Sequence, residues 1–532
     1  MNRADSRLVM GIDVGSASVR AGVFDPEGRR HAFAVRPIQK FHTGADVVEQ
    51  SSADIWRQTC DAVHEALASA GAIADDIAAI GVDATCSLVA VGEGGVPVSV
   101  SPEGEPARDI IMWMDHRAGE EQAAINATCD PALRYVGGEV SVEMELPKVL
   151  WIKKRFPDRY RRVARFFDLA DWLVWRCTDA DVASVCTLTC KWNYLAHENR
   201  FPDSLIERID LADLIGKVPR RVLPLGSAAG PLSPTAAHAL GLSTRTVVAT
   251  GIIDAHAGGL ALVSSRPQGS LALIGGTSNC HMAVSAEPVM VKGVWGPYFG
   301  AMIPGMWLNE GGQSAAGALL DWTIRQSDAW PLAQQEAERA QCNVYAVLNE
   351  WVADLVAREP LPTRHLHVRP DHHGNRSPMA NPHARGLVSG LTLETGKDGL
   401  ARIYLATIQA LAYGTRDIVD AMNTAGHRID RIVMCGGGTK NPLLMQEHAD
   451  AFGCDIELVE EEDAVALGAA LLAATAGGLF PDLRAAAAAM VRPGSRVRFR
   501  QEQRGFHDAK YQVFCSLYDH QQRCLQAMSK WQ

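Results

Sequence analysis

Short apolar runs separated by glycine-rich polar turns dominate the start of the chain. Leu8, Val9, Met10 and Ile12 form one run and Val19, Ala21, Val23 and Phe24 another, with Asp13, Gly15, Ser16 and Ser18 between them. The pattern predicts strand, tight turn, strand, with Gly15 free to take a positive φ. The period then changes. Ile55, Val63 and Leu67 share one face of a helix predicted over 54–70, with Asp54 as its cap and Gly71 just past its end. The apolar stretch "IAAIGVDAT" follows as a strand ending at Asp83.

The strand–turn–strand pattern returns, weakly, in "GSLALIGGTSNCHMAV" (Gly269 to Val284). That separation points to two duplicated domains, 1–264 and 265–532, rather than a short-period repeat. A third glycine turn, Gly436-Gly437-Gly438, ends the strand "RIVMC" and leads into a helix expected at Asn441-Pro442. Strands alternating with helices place both halves in the α/β class. Ala464 to Phe480 reads as a buried helix, being short for a membrane span and bounded by Asp463 and Pro481. The Pro- and His-rich stretch Leu361 to Gly386 reads as a long surface loop, since its adjacent His372 and His373 cannot share a helix face. Tyr511, Phe514, Leu517 and Tyr518 predict a packing helix near the end.

Composition narrows the classes. A chain of 532 residues outgrows one core, and 47% hydrophobic with 21% charged residues suits an ordinary globular protein. A net charge of -10 argues against broad electrostatic capture of nucleic acid or anionic membrane. The basic run Lys153 to Arg165 reads as a solvated helix face. No export signal is evident in "MNRADSRLVMGIDV". Twelve cysteines contain no CxxC pair; Cys186 and Cys190 lie closest together, with no His or Cys partner at zinc spacing, and such dispersed thiols suit a reducing cytoplasm.

The candidate chemistry lies in the glycine turns. Backbone N–H groups and hydroxyls at Gly15, Ser16 and Ser18 could converge on an anion, with Asp13 placed for a cation bridging to it; a plain hairpin with a solvated aspartate fits the same residues. No GxGxxG follows a strand, and Gly216-Lys217 and Gly396-Lys397 lack the hydroxyl residue of a Walker A loop. No GxSxG is present. Asp254 follows an apolar strand at a helix start, where it reads as a cap or as an acid–base group. By itself Lys191 reads also as a surface lysine, Cys86 as a packing residue and His116 as a solvated histidine.

In this order and at these separations, "GIDVGSASVR", "VDATCS", "WMDHRA", "PKVLWIK", "GIIDAHAGG", "GGTSN", "NEGGQSAAGALLDW" and "GGGTKNPLLMQ" resemble the FGGY family of carbohydrate kinases over essentially the whole chain. "DHHGNRSP" with "TCKWNY" resembles its ribulokinase-type branch. The resemblance implies two duplicated actin/hexokinase-like ATPase domains, ribonuclease H-like, around a central cleft. It implies ATP and Mg2+, with Asp13 facing the metal. Gly15, Ser16, Ser18 and Arg20, then Gly276, Thr277, Ser278, Asn279 and Gly317, would serve the phosphates; Gly437, Gly438 and Asn441 would form a nucleoside shelf. The catalytic base matches Asp254. Cys86, Lys191, Asp254 and Glu310 match the sugar-binding pattern, with Asp83, Trp113, Asp115 and His116 as further candidates. Ser16 for the commoner threonine, Glu145 for a small hydroxyl residue and Asn381 for an aspartate depart from the family pattern.

The implied reaction carries the γ-phosphate of ATP to the terminal C5 hydroxyl of a ketopentose, D-ribulose first. L-ribulose, xylulose and ribitol are the alternatives within kinases, and an actin-like ATP-binding regulatory or assembly protein is the alternative outside them. The expected partners are the sugar and MgATP, with no nucleic acid and no membrane, in a cytoplasmic homodimer.

Overall fold

Two sheets of like topology organise the chain in a computed structural model that describes residues 7–44 and 46–531. In the first, β1 (Leu8–Val14), β2 (Ser18–Phe24) and β3 (Arg30–Pro37) form an antiparallel meander. Helix α1 (Ser52–Ala70) then crosses back, and β4 (Ile77–Ala84) pairs parallel with β1. After a long excursion that includes α2 (Val185–Lys191), the short strands β5 (Ala228–Pro231), β6 (Val247–Ala249) and β7 (Ile252–Ile253) complete the sheet in the order β5-β6-β4-β1-β2-β3, with β7 also on β4. Helix α3 (Asp254–Val263) leaves from β7.

The second sheet repeats the plan with β8 (Ser270–Gly275), β9 (Asn279–Ser285), β10 (Trp295–Phe299), β11 (Trp307–Gln313), β12 (Arg431–Cys435), β13 (Ile456–Val459) and β14 (Pro493–Val497). Its order is β10-β11-β9-β8-β12-β13-β14. The run β11-β9-β8-β12-β13 matches β3-β2-β1-β4-β6 in both order and sense, three antiparallel strands followed by parallel ones. The expected echo between the halves is therefore a duplicated topology. Helices α4 (Gly317–Arg325), α5 (Gly396–Ala425), α6 (Pro442–Phe452), α7 (Ala464–Ala476) and α8 (Arg504–Met528) belong to the second half.

The halves meet through α7, which packs on α3 and on β1 and β4 of the first sheet. Glycines make the approach possible. Gly11 and Gly81 are register partners on β1 and β4, and a Cβ at Gly81 would stand 1.9 Å from the Ala469 carbonyl oxygen, one at Gly11 2.0 Å from that of Ala466. Gly468 answers from α7, where a Cβ would stand 2.0 Å from the Ala257 carbonyl oxygen of α3. Backbone cannot yield as a flexible side chain can. Gly81→Val is thus expected to destabilise the protein by about 1–3 kcal/mol or more, read as a lowered thermal midpoint; an unchanged midpoint would show that α7 does not press on this shelf. Ala464–Ala476 is the buried helix expected of its composition, and no helix among the described residues is long and apolar enough to cross a membrane.

Several expectations are corrected. Helix α1 is capped by Ser51, whose hydroxyl accepts from the Asp54 N–H at 3.4 Å, and Asp54 lies within the first turn. Gly71 does close it, at φ 61°. Gly15 does not take a positive φ: the Gly15 N–H donates to the Ser18 carbonyl at 3.0 Å, and this closes the turn with ordinary backbone. The stretch 361–386 is no simple surface loop. Arg369, Asp371, Asn375 and Ser377 are buried, and the Arg369 guanidinium sits 4.2 Å from the Phe514 ring and 5.0 Å from that of Tyr518 on α8. Part of that buried polar load is paired within the loop: Asp371 accepts from Arg369 Nε at 2.6 Å and from Asn375 Nδ2 at 2.9 Å.

Candidate active site

A row of carboxylates stands at the carboxyl ends of three neighbouring parallel strands. Asp13 on β1 is the register partner of Asp83 on β4, and Asp83 is that of Ile252 on β7, with Asp254 following immediately as the first residue of α3. Parallel strands deliver side chains to one edge in this way, which is why ligands gather there. Asp13 and Asp83 are buried, at 1% and 0% exposure. Burial, together with Asp463 and Asp254, pushes Asp13 up to about 7 against the pull of Arg20. Asp83 is held well above its usual range by burial and by Asp13. Burial also raises Asp254.

Both carboxylate oxygens of Asp83 are buried without a hydrogen-bond partner. Orphaned buried acceptors in a crowd of acids fit a hard divalent cation, which takes oxygen ligands and relieves the repulsion. Asp83, expected among the sugar candidates, is thus the direct neighbour of Asp13 on the next strand. Arg20 Nη1 donates to Asp13 at 2.8 Å and lies 3.7 Å from Asp463, so it bridges β2 to the cap of α7.

The two hairpin turns open beside this row. Gly15, Ser16 and Ser18 are half-buried, and a Cβ on Gly15 would meet nothing closer than 3.7 Å, so the bare backbone leaves room above the turn. Trp113 Nε1 donates to Ser16 Oγ at 2.9 Å, which ties Trp113 to the first turn. In the second, Gly276 and Thr277 are exposed and Ser278 half-buried. The N–H groups of Ala316 and Gly317 donate to the carbonyls of Thr277 and Gly276 at 2.8 and 3.0 Å. A Cβ at Gly317 would lie 2.7 Å from the Gly276 oxygen, so the absence of a side chain lets Gly317 press against the turn. Helix α3 packs against β8 of the second hairpin and also touches β4, the neighbour of β1.

The third glycine turn leans on the second. Gly436, at φ 91°, would place a Cβ 2.4 Å from the Gly275 oxygen, whereas Gly437 faces open space. Gly438 is also uncovered by backbone closer than 3.8 Å. Asn441 starts α6 as its cap: Oδ1 accepts from the Leu444 N–H and from Asn349, and Nδ2 donates to Tyr404 at 2.7 Å. These bonds fix the Asn441 amide at the base of the third glycine turn. Asn279 is held in a similar way, its amide donating to Gln313 Oε1 at 2.8 Å within the sheet.

On the other side of Asp254 lies a buried polar pocket. Glu310 on β11 is the register partner of Trp295 on β10. The Lys191 ammonium, at the end of α2, lies 4.6 Å from the Trp295 ring centre, and the Arg376 guanidinium lies 3.9 Å from it. Arg376 Nη2 reaches Glu143 at 3.4 Å and Glu310 at 3.7 Å. His256 Nε2 meets Glu310 Oε2 at 3.0 Å. Although burial opposes its charge, the His256 bond with the nearby Lys191 and Arg376 holds Glu310 down to about 2. Cys86 is buried close enough to Lys191 to feel its charge, though burial itself pushes the thiol up to about 12.

Two candidates do not reach the pocket. Asp115 accepts from the Val48 N–H at 2.7 Å and from Arg117 through both oxygens, in a buried cluster shared with Glu49. His116 is exposed. Glu145 is buried 3.5 Å from Lys148, an internal ion pair. Conversely, Trp295 and Glu143 lie outside the quoted motifs, and "DHHGNRSP" and "GIIDAHAGG" contain Arg376 and His256 without marking them individually. Arg376 lies in a stretch whose composition reads as loop, and nothing in local spacing links it to Glu310.

A cavity of about 490 Å³ lined by Lys153, Tyr160, Arg161, Asp210 and Asp213 shares no residue with this site. The basic run lies at its rim, and Lys153 donates to Asp213 at 3.0 Å, as a solvated face would.

Comparison with known proteins agrees with this geometry. The N-terminal domain model of the FGGY family of carbohydrate kinases matches residues 8–261, and its C-terminal domain model matches residues 271–477. An FGGY carbohydrate kinase domain-containing protein of Homo sapiens is 42% identical over 543 aligned residues, covering 98% of each chain. A D-ribulokinase of Saccharomyces cerevisiae is 34% identical, covering 89% of this chain and 72% of its own. Among solved structures, a xylulose kinase from Rhodospirillum rubrum superposes with a TM-score of 0.81 at 24% identity, covering 97% of this chain and 99% of that one. These likenesses confirm the actin/hexokinase-like architecture in two α/β domains.

Proposed function

Since this chain belongs to the FGGY family of carbohydrate kinases and is an ATP-dependent sugar kinase, we propose that its acceptor is a ketopentose, D-ribulose, phosphorylated at the C5 hydroxyl. The single observation that carries the reading is the placement of Asp254 between two unlike environments. On one side stand Asp13, Asp83 and the open glycine hairpin; on the other stand Lys191, Glu310 and Arg376 around Trp295. The first suits a polyphosphate and its cation, the second a small molecule with many hydroxyls. The D-ribulokinase relative supports the choice of sugar. We place the division between the domains at 264/265. The non-catalytic alternative has no use for the second pocket.

In this reading the turns at Gly15–Ser18 and Gly276–Ser278 hold the phosphates through backbone N–H groups and hydroxyls, and Gly437 and Gly438 receive the nucleoside. Asp13 and Asp83 would hold Mg2+, which neutralises charge on the phosphate oxygens. Glu310 accepts from sugar hydroxyls, and Lys191 donates to the sugar's oxygens. Asp254 orients the acceptor hydroxyl and takes its proton late, because the transition state is loose and asks little of a base. ADP and the sugar phosphate then leave.

Coupled measurement of ADP release tests the assignment with D-ribulose, L-ribulose, xylulose and ribitol. D-ribulose is expected to give the highest kcat/KM. A higher value for another of the four would replace the sugar, and no sugar-dependent turnover with any would remove the ketopentose reading.

A further inference from the structure

Behind Glu310 lies a cluster that phosphoryl transfer does not use. Cys186 and Cys190, four residues apart on α2, share one helix face. The sequence offers them no partner at zinc spacing, but the fold supplies one from α3: His256 Nδ1 lies 3.1 Å from Cys186 Sγ and 3.9 Å from Cys190 Sγ. All three residues are buried, at no more than 1% exposure, and their ligand atoms lie within 4.8 Å of one another. We propose that Cys186, Cys190 and His256 form a binding site for a thiophilic divalent cation of the Zn2+ class.

Three features of the site favour this. Tetrahedral zinc, with bonds of about 2.3 Å to sulfur and about 2.0–2.1 Å to nitrogen, sets a sulfur–nitrogen separation of about 3.5 Å, and the two observed separations bracket that value. Second, the other ring nitrogen of His256 is already held by a carboxylate, Glu310 at 3.0 Å, which is the outer arrangement that fixes the tautomer of metal-ligating histidines. Third, two thiolates, a neutral imidazole and a dication sum to zero, as a dry site requires. Binding takes Zn2+ from water and releases the two thiol protons to it. Water would take the remaining position.

A second buried cluster, Glu447, Asp450 and His507, lacks this character. Asp450 is engaged by Arg500, Glu447 by Gln409, and the His507 ring by Tyr413. The cysteine site, by contrast, stands where it matters. Cys190 precedes Lys191, and His256 lies two residues after Asp254, so a bound ion would staple α2 to α3 and fix the spacing of those two side chains. This holds whichever sugar is the acceptor.

Cobalt(II) is the probe. Reduced full-length protein is incubated with one equivalent of Co2+ and, in parallel, purified from cells grown with added zinc or cobalt, so that burial of the site cannot prevent loading. One metal per chain is expected, with a thiolate-to-cobalt charge-transfer band and the visible bands of four-coordinate Co2+. Cys186→Ser and Cys190→Ser should each abolish the charge-transfer band, whereas replacing the exposed Cys129, Cys342 and Cys524 together should preserve it. X-ray absorption on the zinc-loaded wild type should report two sulfur ligands and one imidazole, which keeps the question decidable if a serine variant fails to fold. Absence of the band and of bound zinc in every preparation, persistence of the band in Cys186→Ser, or a zinc environment without sulfur would each overturn the site.

Discussion

Asp254→Asn is expected to lower kcat by about 10²- to 10⁴-fold, the span that a positioned general base contributes. Asp254 Oδ1 accepts the Ala255 N–H at 2.7 Å, a bond that asparagine can keep through its own carbonyl oxygen. The helix start and the side-chain direction therefore survive, and what is lost is the ability to accept the acceptor's proton. Calorimetry should find ATP bound as in the wild type, because the hairpin turns are untouched. Initial rates at saturating sugar read the change. A kcat within a small factor of normal would eliminate Asp254 as the base, whatever the sugar.

Glu310→Gln should raise the KM for sugar on the order of 10²-fold, with the KM for ATP nearly unchanged. Glu310 answers the positive charge of Arg376 at 3.7 Å and bonds His256 at 3.0 Å, inside a pocket that also holds the Lys191 ammonium. Taking one member out of such a buried set costs about 2–5 kcal/mol, much of it the penalty of leaving the partners uncompensated. Part of that loss will appear as stability, so the thermal midpoint is measured alongside the kinetics. Glu310→Asp keeps the charge but shortens the reach, and it should recover some affinity. An unaltered sugar KM in Glu310→Gln would take Glu310 out of the pocket.

The elements nearest the chemistry were the most legible. The hairpin of Asp13 to Arg20 and the strand ending at Asp83 declare themselves through contiguous apolar runs broken by small residues, because strand and turn are local events. The glycine turn before Pro442 was equally plain, since proline at a helix start is a local signal. Individual roles were harder. Asp115 and Asp254 are both aspartates in recognisable motifs, yet one is spent on Arg117 and Val48, and the other accepts only the neighbouring Ala255 N–H at the head of a helix. Nothing within a few residues of either distinguishes them. The partners of Asn441 and Asn279 are equally invisible locally: Tyr404 and Gln313 reach the two amides from distant parts of the chain.

What the sequence determined alone is the repertoire: strands and helices in alternation, three glycine turns, and a set of motifs in an order that identifies the family. These follow from side-chain periodicity and backbone freedom, which act over a few residues at a time. Only the tertiary structure decided which charges share a space. It brought Asp13, Asp83 and Asp254 to one edge through parallel pairing, drew Arg376 out of an unpromising loop to Glu310, and set His256 between two cysteines from another helix. Ion pairing and ligation act through space over a few ångströms, and chain separation places no limit on which residues meet there.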